Sequence, residues 1–324
     1  MSSVLTATDR SALIRLASSM DVGSPERKVI LSGLKTAAGD PNVPGKHILG
    51  DAVVSGKATV SGFAQVRGKA KVDGNAIISG GAWVSGRARV SNTAKVSGDA
   101  SVSDDASVSG NSRVYGKAQV YGKAQVSGNS RVHDDAEVFG NAQVYGQAHI
   151  LDKTEVYDNA SVFEKAQVYD NAMIYGKAQV SGNAKIGGKS QVYDNAEVYG
   201  DVVISGDAWV YDNALVSGDS RIHDEAKVYG KAEIYDEATV ADWAQVYGDA
   251  ELRHKAQVYD GAKVYGEAEI SGDAEISGDA VVFGNAKIGG KAKILGGSWD
   301  GSEGEITSGT WKSPTKPVYK FRSQ

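Results

Sequence analysis

A strict six-residue register governs most of this sequence. Val, Ile or Leu occupies every sixth position from Ile48 to Ile294, which makes 42 consecutive occurrences. Two residues before each of these positions, from Val54 onward, stands a small residue, which is Ala in 35 of 41 cases. Two residues after the aliphatic position stands Gly, Asp or Asn in 39 of 41 hexads, with Glu164 and His254 as the exceptions. A chain with this register is expected to fold as a structural repeat.

Each hexad combines a short strand with a corner. Residues two apart in an extended segment point to the same side, so the small and the aliphatic residue face inward and the residue between them faces outward. Gly, Asp and Asn tolerate a positive φ, and the positions after the aliphatic residue therefore predict a tight bend. Because a period of six does not match the helical period of 3.6 residues, the pattern predicts a solenoid of stacked coils.

The aromatic residues indicate how many hexads make one coil. Ten aromatic residues recur at 18-residue intervals, whereas the equivalent columns one hexad away are mixed. The ten are Tyr121, Phe139, Tyr157, Tyr175, Tyr193, Tyr211, Tyr229, Tyr247, Tyr265 and Phe283. The sequence therefore predicts three hexads per coil and about 14 coils from its 42 hexads. At about 4.8 Å per strand layer, such a rod is about 67 Å long.

An inward aliphatic residue, a small residue two positions before it and three hexads per coil resemble the hexapeptide-repeat left-handed β-helix superfamily. The resemblance covers residues 48–294. It implies an all-β, single-stranded, left-handed parallel β-helix of triangular section. The handedness rests on the resemblance alone, since right-handed crossovers are the general preference. Here Ser or Tyr follows the aliphatic residue and Gly or Asp comes one position later, a departure that makes the chain similar to the plainer, strictly regular members.

The segments outside the repeat have their own patterns. Residues 1–40 predict two short helices, and residues 41–47 a linker. The apolar faces of the helices comprise Leu13, Leu16, Met20, Ile30 and Leu34. A two-helix unit this small cannot bury such faces by itself, so it caps the first coil or docks on a protein partner. Residues 295–324 break the hexad and predict a C-terminal cap and tail, with Trp side chains covering the last coil.

The composition excludes several classes of function. The chain has no Cys, and therefore no disulfide, Cys-ligated metal or thiol nucleophile. Its net charge of −5 argues against nucleic-acid binding. No apolar run approaches the ~20 residues that a membrane-spanning helix needs, and no signal peptide opens the chain. We expect a cytoplasmic or virion protein that binds neither nucleic acid nor membrane.

The resemblance also implies an enzyme, because the superfamily includes trimeric acyltransferases and γ-class carbonic anhydrases. The acyltransferases carry a loop that interrupts the hexads and a catalytic His, whereas no insertion interrupts the 42 hexads here. Without such a loop, nothing encloses a substrate or excludes water. The zinc-ligand spacing of the carbonic anhydrases is absent. We therefore assign no catalytic residue and no cofactor, and keep an acyltransferase site at a trimer interface as the alternative.

Two columns of aspartates are candidate cation sites. They comprise Asp134, Asp152 and Asp170, and, 90 residues later, Asp224, Asp242 and Asp260. Carboxylates about 5 Å apart repel one another by roughly 1 kcal/mol in water, and Ca²⁺ would relieve that repulsion. The simpler interpretation is that Asp replaces Gly at corners with positive φ.

The aromatic column also has two interpretations. Stacked rings stabilise a flat pile of strands, or the column is a strip that binds a glycan or a protein partner. The residues of that strip would be Tyr157, Tyr175, Tyr193, Tyr211 and Tyr229.

The sequence as a whole favours an architectural function. A rigid rod with no catalytic site of its own would mediate assembly, with its N-terminal helices on a protein partner and with homo-oligomerisation as a further option. Residues 12–17, followed by Pro25, Glu26 and Arg27, resemble helical leaders of large-phage virion proteins. That likeness implies a component of a virion or of another large assembly. A glycan- or cation-binding rod is the third hypothesis.

Overall fold

The computed structural model describes residues 47–313, where the regular structure is entirely β. Strands β1 to β42 have two residues each and recur every six residues, at 47–48, 53–54, 59–60 and so on to 293–294. Each of them ends on the aliphatic residue of its hexad. Two more strands follow, β43 (Ser298–Trp299) and β44 (Thr310–Trp311).

The predicted N-terminal helices lie outside the described residues, and with them the five apolar residues assigned to docking. The predicted linker lies outside them too, except for His47, which begins β1. The same holds for residues 314–324 of the predicted tail.

The strands form three parallel sheets. Sheet 1 has the order β1-β4-β7 and so on to β43, sheet 2 runs from β2-β5-β8 to β41, and sheet 3 from β3-β6-β9 to β44. Strands pair with the strand three hexads later, as Gln119 does with Glu137. Each coil therefore gives one strand to each sheet, and the 42 hexads make 14 coils, numbered here from β1. The predicted parallel β-solenoid with three hexads per coil is confirmed.

Backbone hydrogen bonds join every coil to the next. The outward strand residue donates its N–H to a carbonyl of the following coil, as Gln119 does to Ala136 at 2.9 Å. The last residue of the corner does the same, as Lys123 does to Gly140 at 2.7 Å. Corners are thus bonded to one another as well as strands, so the coils superimpose along their whole circumference.

The core is a narrow stack of small and aliphatic side chains. The inward Ala, Val, Ile and Leu side chains from Ala64 to Val282 are at most 1% exposed, as the hexad pattern predicts. Five inward positions carry a hydroxyl instead, and each hydroxyl donates to the carbonyl three residues earlier at 2.7–2.9 Å. They are Ser112, Ser130, Thr154, Ser190 and Ser220. Burying these groups therefore leaves no unpaired polar atom.

The corners have the backbone conformation that the sequence predicts. All 41 positions from Gly50 to Gly290 have a φ between 55° and 90°, including Glu164 and His254. At the corners that carry glycine, close approach of the next coil is a further reason for that residue. A Cβ on Gly128 would lie 2.7 Å from the carbonyl oxygen of Gly146 in the next coil.

The segment after Ile294 adds one further layer to all three sheets. Strand β43 pairs with β40, β44 pairs with β42, and Ile306 bridges to Ile288 in sheet 2. Trp299 lies opposite Val282, is 1% exposed, and meets Trp311 edge to face at 5.9 Å. One buried and one partly buried indole thus cover the end of a core that holds small and aliphatic side chains elsewhere.

Candidate functional site

The longest surface feature of the rod is the column of ten aromatic rings, called here the aromatic ladder. It runs from Tyr121 to Phe283, and each ring directly follows a strand of sheet 1. Neighbouring ring centroids are 4.7–5.4 Å apart, and neighbouring ring planes are within 14° of parallel. All ten side chains are half-buried. The column predicted from the regular spacing of the aromatic residues is confirmed as a continuous stack.

The hydroxyls of the ladder are directed along sheet 1. Tyr121 donates a hydrogen bond to Glu137 at 2.9 Å, and Tyr175 donates one to Gln191 at 3.0 Å. Both acceptors are outward residues of sheet 1 in the following coil. Since neighbouring rings cover each other's faces, the ladder presents ring edges to solvent. A sugar ring stacks on a free aromatic face, so this geometry favours the structural interpretation, and partner binding by the ladder stays a prediction.

Burial changes the acidity of the ladder tyrosines. Burial, followed by the negative charge of neighbouring tyrosinates and aspartates, raises the pKa of Tyr175 and of Tyr229 to about 12. The pKa of Tyr193, between Tyr175 and Tyr211, is raised for the same reasons. The folded protein therefore favours the protonated phenols of these tyrosines.

All six candidate aspartates lie at corners that follow sheet 3, with φ between 55° and 62°. Four of them accept a hydrogen bond, at 2.9–3.1 Å, from the backbone N–H of the corner residue one coil later. These four are Asp152, Asp170, Asp242 and Asp260. Within residues 47–313, the positive-φ residue of each hexad has no backbone acceptor for its own N–H. The carboxylate supplies that acceptor.

The same hydrogen bond recurs at other corners. Asp104, Asp158, Glu164, Asp212 and Asp236 each accept from the corner N–H one coil later, at 2.8–3.3 Å. This role was not predicted from the sequence, from which a corner Asp was interpreted as a cation ligand or as a substitute for Gly. The sequence signal for this role was that the non-glycine corners carry Asp far more often than Asn. Both residues tolerate a positive φ, but the carboxylate is the stronger hydrogen-bond acceptor for a backbone N–H.

The first aspartate of each column has a different partner. Nδ1 of His133 lies 2.8 Å from Oδ2 of Asp134, and Nδ1 of His223 lies 2.6 Å from Oδ2 of Asp224. The His133 ring also stacks on Tyr115, with centroids 4.6 Å apart. These carboxylates thus orient an imidazole on the surface.

The cation hypothesis depends on whether these carboxylates converge. Among residues 47–313, no three His, Asp or Glu side chains are grouped as metal ligands. The aspartates instead lie one per coil, four of them bound to backbone amides and two to histidines. Calcium binding at these columns stays a prediction.

The repeat matches a known family over part of its length. The family described as "YdcK Beta solenoid repeat" matches residues 166–182, 190–206 and 208–224. Each match begins on the inward small residue of a hexad and spans almost one coil, in agreement with the three sheets. The chain is a β-solenoid repeat protein. No curated protein matches this sequence, and the described part of the chain contains no helix suited to crossing a membrane.

The first prediction concerns the amide-binding aspartates of this solenoid. Asp152→Ala removes the acceptor of a hydrogen bond worth about 1 kcal/mol and keeps a Cβ at positive φ, as in the parent protein. We expect the free energy of unfolding to fall by about 1 kcal/mol. Asp152→Gly, the control, loses the same bond without backbone strain and should fall less. Urea unfolding followed by circular dichroism measures the stability of both variants. If the Ala variant is as stable as the parent protein, the hydrogen bond of Asp152 does not stabilise the solenoid.

The second prediction concerns the ladder. Tyr193→Ala removes two ring contacts worth about 0.5–1.5 kcal/mol each, so we expect unfolding at a clearly lower denaturant concentration. Tyr193→Phe keeps both rings in contact and should stay close to the parent protein. If both variants unfold at the parent midpoint, the stack contributes nothing to stability.

The third prediction concerns alkaline pH. The pKa of the ladder tyrosines is raised above the value of about 10 expected for an unfolded chain. Folding is therefore favoured below pH 10, and this contribution is lost as the pH rises through about 12, the folded value for Tyr175. The tyrosinate absorbance of the folded protein should rise at higher pH than that of the protein in guanidinium. Coincident titration curves would contradict this account.

Proposed function

We propose that this β-solenoid is a rigid structural scaffold with no catalytic site of its own. The observation that carries the proposal is the unbroken stack: 42 hexad strands follow one another without an insertion, and each is bonded to the next coil. The conspicuous side-chain columns are used within the stack, by ring contacts and by amide hydrogen bonds. A rod of this kind is suited to holding other components at a fixed distance.

We also propose that the rod is left-handed and three-sided, as in the hexapeptide-repeat superfamily. Three parallel sheets joined by short corners support the three sides. The positive φ of every hexad corner is compatible with the left-handed coil that the resemblance implies. A crystal structure tests both features, and a right-handed coil would separate this chain from that superfamily.

We place partner binding at the N-terminal end of the rod. Three of the eight exposed large apolar side chains of the described residues lie close together in the first coil, since Ile48, Leu49 and Val53 are 43%, 50% and 48% exposed. The helices predicted for residues 1–40 precede this coil, with the predicted linker between them. A protein partner would be held through these helices, in a virion or another large assembly.

The test of the scaffold is its mass and shape in solution. Small-angle X-ray scattering combined with light scattering should show an elongated particle about 70 Å long. A compact trimer that binds acetyl-coenzyme A would overturn the proposal in favour of an acyltransferase.

A variant lacking residues 1–40 tests the N-terminal assignment in the same experiment. If those residues serve a partner, the shortened rod should keep its length and its melting temperature. If it aggregates or melts early, those residues cap the first coil and the docking assignment fails.

A further inference from the structure

Charge is distributed unevenly along the outer face of sheet 2. Its outward residues include Lys71 and Arg89 in coils 2 and 3, and the next charged one is Glu197 in coil 9. The coils between them carry Ser107, Gln125, Gln143, Ser161 and Gln179, and those after coil 9 carry Leu215, Glu233, Glu251, Glu269 and Lys287. One end of the face is therefore basic, the middle is neutral and the other end is acidic.

The corner column that leads into sheet 2 has a related pattern. Lys69, Arg87 and Asp105 stand in coils 2, 3 and 4, and Lys231, Asp249 and Glu267 stand in coils 11, 12 and 13. Two pairs of neighbouring residues in this column form exposed ion pairs within the chain. Arg87 lies 2.5 Å from Asp105, and Lys231 lies 3.7 Å from Asp249. The charges in coils 2, 3 and 4 are positive, positive and negative. Those in coils 13, 12 and 11 are negative, negative and positive, so each charge of the first set has the opposite sign in the second.

A row of charges with one charge per coil needs a partner row of the same spacing. A second copy of this chain supplies it, because its coils have the same rise. Two copies related by a two-fold axis perpendicular to the rod lie antiparallel, with sheet 2 against sheet 2. If the axis passes between coils 7 and 8, coil n of one copy lies opposite coil 15 − n of the other. Each contact then occurs twice.

This register makes every charged pair among these residues favourable. Lys71 lies opposite Glu269, and Arg89 lies opposite Glu251. In the corner column the pairs are Lys69 with Glu267, Arg87 with Asp249, and Asp105 with Lys231. The two internal ion pairs of the corner column thus stack head to tail across the interface, so that each charge has opposite charges on two sides.

Neighbouring registers lose part of this complementarity. A shift of one coil in one direction keeps Lys71 and Arg89 opposite glutamates but places Arg87 opposite Lys231. A shift in the other direction places Asp105 opposite Asp249 and Lys71 opposite Lys287. Parallel pairing about a two-fold axis along the rod places each outward charge of sheet 2 opposite its own copy. The charge pattern therefore selects one direction and one register.

Sheet 3 provides an internal comparison. The same antiparallel operation on its outer face places Arg131 opposite Arg221, and it creates no pair of opposite charges there. The complementarity is a property of sheet 2 and its corner column, and does not follow from the repeat in general.

We propose that sheet 2, with its preceding corner column, is the surface through which two copies of this chain pair antiparallel, with the two-fold axis between Ser161 and Gln179. The inference rests on the scaffold function and extends it. A face about 65 Å long and about 15 Å wide buries about 1,000 Å² per copy, which is in the range of stable interfaces.

Three of the four sheet 2 side chains that this pairing needs are accessible. Lys71, Arg89 and Glu269 are exposed, and neither Lys71 nor Arg89 has an ion-pair partner within residues 47–313. Glu269 contacts Lys287 at 2.9 Å in an exposed pair, and such pairs contribute about 1 kcal/mol or less, so Glu269 can bind across the interface. The Glu251 side chain is 19% exposed and contacts Arg253, so it must turn outward to reach Arg89.

Light scattering on the full chain tests the pairing. At low salt we expect twice the chain mass of 33.9 kDa. At high salt we expect the mass of one chain, because exposed ion pairs are screened. A single-chain mass at low salt overturns the pairing and leaves the scaffold proposal intact, whereas a compact trimer with acyltransferase activity would overturn the scaffold instead.

Charge reversal gives the sharper test. Variant one carries Lys71→Glu and Arg89→Glu, and variant two carries Glu251→Lys and Glu269→Lys. Each variant alone should be monomeric, since like charges then face each other. Mixed together, the two should form a dimer with each other, because opposite charges are restored at both ends. Unchanged dimers of either variant, or no dimer in the mixture, would overturn the proposal.

A matched control and a cross-link complete the design. Arg113→Glu with Arg131→Glu changes the same amount of charge on sheet 3 and should leave the dimer unchanged, and circular dichroism verifies that all variants are folded. Carbodiimide treatment of a mixture of isotope-labelled and unlabelled chains should join Lys71 of one copy to Glu269 of the other. Cross-links from Lys71 to the same end of the second copy would show that the direction is wrong.

Discussion

Backbone hydrogen bonds between successive coils carry the rest of this structure. A strand of two residues has no stability alone, and each strand here is held by the coil before it and the coil after it. Those bonds form only if the chain returns to the same place after three hexads. The positive φ at every hexad corner makes that return possible. Stability in such a stack is a property of neighbouring coils, as in other repeat proteins.

Superposition of the coils converts each sequence position into a column. Where Tyr recurs, the rings stack, as Tyr175 does on Tyr193 with centroids 4.7 Å apart. Where Asp recurs at a corner, its carboxylate accepts a hydrogen bond from a corner N–H that has no backbone acceptor, as Asp152 does from Asp170. These columns contribute to the stack before they contribute to any partner. This is consistent with the proposed scaffold function, in which the rod as a whole holds other components.

The same superposition spaces the outward charges evenly. The outward column of sheet 2 has Lys71 and Arg89 near one end and glutamates near the other. A complementary column is therefore found on a second copy with the same spacing between coils, in the antiparallel orientation. Rigid spacing thus gives a scaffold a means of selecting its own partner, direction and register. The contacts of the proposed pairing are polar and exposed, so such an association would be sensitive to salt and reversible.

The sequence alone determined the coil, the core, the corners and the aromatic ladder, because an unbroken hexad period with an aromatic in every third hexad allows only one superposition. The sequence pattern did not determine the handedness of the coil, since left-handed and right-handed solenoids can have the same period. Only the tertiary structure showed that Asp152 binds an amide, that His133 lies on Tyr115, and that Trp299 enters the core opposite Val282, where the hexad register has already ended. These facts depend on distances between coils, and a periodic sequence specifies which residues are neighbours without specifying which of their atoms meet.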